Sequence, residues 1–162
     1  MTARIQRNPH FRTIAKMTLN AVEYRLDTLS PEQRSERMSR VRAKDTKPEL
    51  TVRHLAWALG YRYRLHGRKL AGCPDLVFPA RKKVIFVHGC FWHQHKGCKQ
   101  YRMPRSRLDF WLPKLESNKK RDRINKTTLT KTGWEVLTLW ECELKDPDRV
   151  SRRIRSFLEG TE

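Results

Sequence analysis

The stretch Cys73–Cys90, CPDLVFPARKKVIFVHGC, decides the architecture. Within it, PDLVF and KKVIFVH are short runs rich in β-branched and aromatic residues, the composition of strands. A short turn around Ala80 and Arg81 joins them, so the two should pair antiparallel. Working upstream, Tyr61, Tyr63 and Leu65 alternate with Arg62, Arg64 and His66, the period of a further strand, and Gly67 and Gly72 bracket the loop that follows. Before that, DTKPELTVRHLAWALG carries the marks of a helix. Thr46 is the N-cap, Glu49 falls at N3, Gly60 follows the last turn, and Val52, Leu55, Ala56 and Leu59 share one face. Residues 46–88 therefore read as a helix followed by an antiparallel meander.

Downstream, RLDFWLPKLESNKKRDRINKTTLTKTG reads as one or two helices, with Pro113 starting the second or kinking the pair. WEVLTLWEC is apolar on both alternating faces, as expected of a central strand covered on both sides, with Trp134 and Trp140 in the core. DPDRVSRRIRSFLEG closes the series as a helix with Asp146 as cap, Pro147 at N1, and Val150, Ile154, Phe157 and Leu158 on one face. Helices and strands mixed around a central sheet predict an α/β (α+β) domain. Residues 28–45 begin at a Ser30-Pro31 helix start and carry Arg34, Arg37, Arg40 and Arg42 around Met38 and Val41. This is either a solvated helix or a DNA-contacting arm with Met38 as an apolar wedge. Residues 1–27 read as a flexible extension to a single domain spanning 28–162.

The 162 residues include 36 Lys plus Arg against 17 Asp plus Glu, a formal net charge of +19. Such a field attracts polyanions, and aromatics interleaved with the charges favour nucleic acid over lipid. No stretch approaches the ~20 apolar residues of a membrane span. The N-terminus lacks the apolar run and small-residue cleavage site of a secretory signal, so a cytoplasmic location is expected. The four cysteines are accordingly read as thiols or metal ligands.

HGCFWHQHKGC (88–98) concentrates three histidines, two cysteines and two aromatics. Zinc in a structural site takes four N or S ligands. Cys90, His95 and Cys98 supply three within one loop, with His93 as a competing third. If the strand before Cys142 lies beside the strand before Cys90, Cys142 completes a Cys3His set. Cys73 is left over and is expected to be a small buried thiol. A Mg2+-dependent nuclease also needs a carboxylate at its site, and Asp75, opening PDLVF, is the candidate. Endonucleases of the PD-(D/E)XK type combine an acidic helix residue, the Asp of Pro-Asp and a D/E-x-K tripeptide. Here Glu49 lies on the preceding helix, while Phe86-Val87-His88 stands where D/E-x-K would be, without the second acid or the lysine.

Taken together, RMSRVRAKDTKPE, CPDLVF, VIFVHGCFWHQHKGC, RLDFWLPKLESNKKRDR and GWEVLTLWEC resemble, in order, the very short patch repair (Vsr) endonucleases, from Leu29 to Leu158. The resemblance implies a restriction-endonuclease-like three-layer domain, a central mixed sheet flanked by helices, with a structural zinc added. It implies an endodeoxyribonuclease that nicks one strand 5′ of the thymine in a T:G mismatch. Such mismatches arise when 5-methylcytosine deaminates, which links the enzyme to a cytosine-5 methyltransferase and to mismatch-repair proteins. By the same resemblance Asp75 and the Val87 main-chain carbonyl hold Mg2+, and His88 and His93 act on water and leaving group, with His93 as general base. Glu49 assists, and Asn118 lies near the active site. Arg121 and Arg123 then read as phosphate contacts, and Phe91, Trp92 and Trp111 as side chains that wedge into DNA beside the mismatch. One nick beside an asymmetric mismatch needs no two-fold symmetry, so a monomer bound to the bacterial nucleoid is expected. Three features depart from the family pattern: Val87 stands where a relative can have threonine, the loop from Cys90 to Cys98 is one residue longer than in some relatives, and residues 1–27 lie outside the resemblance.

Overall fold

The computed structural model describes residues 29–160 apart from 41, 43, 105 and 106. The expected extension 1–27 and Val41 of the basic arm thus lie outside the described residues. Helix α1 (Pro31–Ser39) is closed by a capping box between Ser30 and Gln33. Its described side chains from Glu32 to Ser39, Met38 among them, are exposed. Helix α2 (Lys47–Ala58) starts where Thr46 accepts the Glu49 N–H. It buries Val52 and Ala56 completely.

Strands β1 (Arg64–Leu65), β2 (Leu76–Phe78) and β3 (Lys83–His88) form the antiparallel meander. Strand β4 (Glu135–Trp140) then adds in parallel to β3, giving a mixed sheet in the order β1-β2-β3-β4. Between β2 and β3 a single 3-10 turn at Pro79–Arg81 ends on Lys82 in the left-handed region. Two expectations are corrected. β1 is two residues long, because Tyr61 still belongs to the end of α2: its N–H reaches the Ala56 carbonyl and its hydroxyl reaches Glu159. β4 is an edge strand rather than a central one, though both of its faces are covered.

The sheet separates two apolar layers. On one face Leu76, Phe78, Ile85 and Leu139 pack against α2 and against Val150, Ile154 and Leu158 of α4 (Pro147–Glu159). On the other, Val77 and Val84 pack against Leu129 of α3 (Leu108–Lys131), with Trp134 and Phe86 beside them. The architecture is thus three layers, helix–sheet–helix, as expected. α3 is one continuous helix through Pro113. The proline lies near its exposed N-terminal end, where a lost backbone hydrogen bond is cheapest.

The loop from His66 to Pro74 carries the chain back to β2 and rests on α3. Gly72 has φ +76, and a Cβ there would lie 2.6 Å from Asn125 Nδ2. Gly72→Ala should therefore lower stability by on the order of 1–3 kcal/mol, from left-handed backbone strain and the collision together. Asn125→Ala in the same chain should recover part of that loss, read as the shift in urea midpoint.

Candidate functional site

The open end of β3 gathers the polar groups. Asp75, just before β2, turns its carboxylate across to β3, where Oδ2 accepts the Val87 N–H at 2.7 Å. A strand residue presents its N–H and carbonyl to the same edge. The Val87 carbonyl therefore faces the edge at which Asp75 stands. Burial pushes the Asp75 carboxyl up to about 6, and the nearby Glu49 charge adds to that. A partly buried carboxylate and a main-chain carbonyl are hard oxygen donors, the type that Mg2+ prefers.

Glu49 is buried and closely held. Its Oε2 accepts the Asp45 N–H at 2.9 Å and Arg53 at 3.1 Å, while its Oε1 accepts the Thr46 hydroxyl at 2.9 Å. Arg53, itself buried, reaches Asp45 as well at 2.5 Å. Glu49 thus supports the start of α2 and also lines the cleft in which Asp75 lies. The capping role and the site role coexist in one side chain.

His88 ends β3, and His93 returns to it from the loop. Their rings stack at 3.8 Å with planes 9° apart. Burial, and then the facing His93, push the His88 imidazole down to about 4, so it is neutral at physiological pH. His93 Nδ1 lies 2.5 Å from Asp122 Oδ2. An ionised carboxylate only accepts, so in the neutral tautomer that this contact favours, Nδ1 carries the proton and Nε2 keeps the lone pair. Asp122 was not anticipated from the sequence, although a signal existed. It stands four residues after Asn118 on α3 and so shares its face.

Below the histidines, Cys90, His95, Cys98 and Cys142 bring their donor atoms within 4.8 Å of one another. His95 Nδ1 is 3.7 Å from Cys90 Sγ and 3.3 Å from Cys142 Sγ. A tetrahedral ion with zinc-like bond lengths would separate such N and S donors by about 3.6 Å. The four residues therefore fit a tetrahedral metal, and His93, paired with Asp122, is not part of the set. Trp140 stacks flat on His95 at 4.1 Å and 2°, and meets His88 edge-on at 5.4 Å. This half-buried indole was expected in the apolar core; it stands instead between the two histidine clusters. Cys73 is likewise corrected from buried to exposed, because its backbone turns through φ +50 before Pro74.

The remaining expected residues divide by position. Phe91, Trp92 and Trp111 meet edge to face, with centroids 5.1 and 5.3 Å apart for Phe91 against its two neighbours. Phe110 extends the cluster to solvent at 45% exposure. Asn118 donates to the Trp92 carbonyl at 3.1 Å and accepts from Arg121 at 2.6 Å. Arg121 and Arg123 line the cleft, whereas Met38 lies on α1 and does not. The cleft measures about 1440 Å³, larger than the roughly 300–1,000 Å³ usual for a small-molecule pocket. Arg42, Lys44 and Arg68 line it together with Lys119 and Lys126 of α3, as a polyanion would require.

Comparison with known proteins places the chain among DNA endonucleases. Residues 26–100 match the family described as DNA mismatch endonuclease Vsr. The chain is 50% identical over 133 residues to the type II nicking enzyme V.XorIIP of Xanthomonas oryzae, covering 82% of this chain and 97% of that enzyme. It is 41% identical to the type II nicking enzyme V.NmeAIP of Neisseria meningitidis, covering 83% and 98%. It is 37% identical to the DNA mismatch endonuclease Vsr of Escherichia coli, covering 73% and 75%. At these identities and coverages, the chain belongs to the Vsr family of DNA endonucleases.

Proposed function

We propose that this protein nicks one DNA strand 5′ of the thymine in a T:G mismatch, by Mg2+-dependent hydrolysis of the phosphodiester. The observation that carries the reading is the convergence of two groups at the open end of β3. Asp75 lies against Val87, and the Asp122–His93–His88 row stands one residue further on. Asp75 and the Val87 carbonyl would hold Mg2+, which supplies charge neutralisation at the reacting phosphate. His93 Nε2 takes the proton from the attacking water, and Asp122 keeps Nδ1–H in place and stabilises the imidazolium that forms. His88, neutral and a weak base, donates a hydrogen bond on the phosphate side instead of holding a proton. Glu49, locked by Arg53 and Thr46, orients groups beside Asp75. Asn118 acts through the backbone of Trp92.

Zinc at Cys90, His95, Cys98 and Cys142 fixes the loop that bears Phe91 and Trp92. With Trp111 these rings insert at the weak stack beside a mismatch, where unstacking is cheapest. Met38 on the α1 arm adds an outlying apolar contact, and Arg121 and Arg123 hold phosphates. Residues 28–162 form the single catalytic domain, with 1–27 as an extension. The enzyme acts as a monomer on the bacterial nucleoid in the cytoplasm. It is linked to a cytosine-5 methyltransferase, whose product creates the lesion, and to mismatch-repair proteins.

Duplexes identical except for one T:G or C:G pair test the reading directly. With Mg2+ the T:G strand should be nicked and the matched duplex spared. Equal cleavage of both would assign the protein to cutting unmismatched sites, and no cleavage of either would make it a DNA-binding protein.

The metal assignments separate by variant. Cys142→Ser should release zinc and lower the unfolding midpoint. His93→Ala should keep zinc and fold yet lose on the order of 10²–10⁴ in rate. Zinc release from His93→Ala would reverse the ligand set.

Asp75 gives a pH signature. Its folded pKa, about 6, lies above the unfolded value, so metal-free stability falls as pH rises between the two and stays low above about 6. Asp75→Asn should therefore abolish nicking while stabilising the metal-free protein at pH 7 by on the order of 1–3 kcal/mol. That gain should vanish near pH 4. An Asp75→Asn protein no more stable than wild type at pH 7 would contradict the burial cost.

A further inference from the structure

The Asp122–His93–His88 row offers more than proton transfer. Two imidazole nitrogens and a carboxylate oxygen lie within 4.8 Å of one another, contributed by the end of β3, the loop after it and the middle of α3. All three side chains are half-buried at the floor of an open cleft, so a small ion can reach them from solvent. Two histidines and one carboxylate with open positions suit a divalent transition metal. Mg2+, which prefers oxygen, is not suited to the two nitrogens. Asp75 is not in the set, so the oxygen donors proposed for Mg2+ remain available. The Cys3His cluster is also separate: the Trp140 indole stands between His95 on its face and His88 at its edge.

We propose that His88, His93 and Asp122 form a second site for a divalent transition ion such as Zn2+, and that filling it stops nicking. The binding follows from the donor set. The inhibition rests on the reading of His93 as general base: an ion shared by Asp122 and His93 takes the place of the proton on Nδ1, and the neutral ring then carries its proton on Nε2, leaving no lone pair for the water's proton. Only modest movement is required. Nitrogen donors around one tetrahedral ion sit about 3.3 Å apart, so the stacked rings need only fan open towards the cleft. Free transition metal would thus act as a brake on a nuclease whose structural metal is already in place.

Protein carrying its tightly held zinc can be titrated with further Zn2+ under dialysis and assayed for metal content and nicking. Wild type should take up a second equivalent. Asp122→Ala and His93→Ala should keep the first and lose the second, with unchanged unfolding midpoints showing that the fold persists. Co2+ in place of the second Zn2+ should give visible bands without the thiolate charge-transfer absorption of a cysteine site. Nicking by wild type should fall on the order of a hundredfold with the second equivalent. A chelator too weak to strip the Cys3His site should restore it, and raising Mg2+ should not. Equal zinc uptake by wild type and Asp122→Ala would overturn the site. Relief of inhibition by Mg2+ would place the ion at Asp75 instead and equally overturn it. A second equivalent bound by a protein that nicks no T:G duplex would leave the metal site standing and remove the proposed function. Nicking without a second equivalent would do the reverse.

Discussion

Six consecutive residues of β3 pair in parallel with six of β4, from Lys83 against Glu135 to His88 against Trp140. Because the strands run the same way, both end on the same side of the sheet. Whatever follows each of them must meet the other there. His88-Gly89-Cys90 leaves one strand as Trp140-Glu141-Cys142 leaves its neighbour, so the metal donors, the indole between the histidine clusters and His88 itself are consequences of one register. A slip of a single residue would send His88 and Trp140 to opposite faces and separate Cys90 from Cys142. The apolar contacts that hold the register, Ile85 and Leu139 on one face and Val84 on the other, are fully buried. The chemistry at the rim is therefore anchored in the core.

Charge is distributed to the same end. In a chain of net charge +19, two acids converge beside β3 and a third closes over the histidines. Glu49 and Asp45 share the buried Arg53, which balances charge at the head of α2. Among the described residues no ion pair joins a cation to Asp75, and burial shifts it towards its neutral form. A divalent ion would complete that imbalance. The carboxylate that burial pushes towards its neutral form thus stands beside the Val87 carbonyl, where stability is exchanged for a candidate metal-binding position.

Much of this was legible in the sequence, and the limits have physical causes. Thr46, Asp146 and Pro147 marked helix starts because capping is local, and the structure places each at that task. The Cys3His grouping was readable because three donors lie within nine residues and the fourth ends a strand. Asp122 was missed because its partner His93 is 29 residues away, and nothing short-range requires their meeting. Trp140 was misplaced for a related reason: an apolar strand pattern cannot tell an edge from a centre, nor a core indole from one laid on a ligand. Tyr61 continued the alternation of a strand, but the turn ending α2 claimed its backbone first.

The order of these residues along the chain has a consequence for synthesis. Asp75, His88, His93 and Asp122 all leave the ribosome before Cys142, and so do three of the four Cys3His donors. The loop between Cys90 and Cys98 can gather a metal early, since its closure is short. It cannot be completed until β4 has been made and has docked beside β3. A nascent chain thus holds every candidate cutting group before the fourth Cys3His donor is made. The Cys3His set at the rim of the cleft is therefore completed only once β4 is in place.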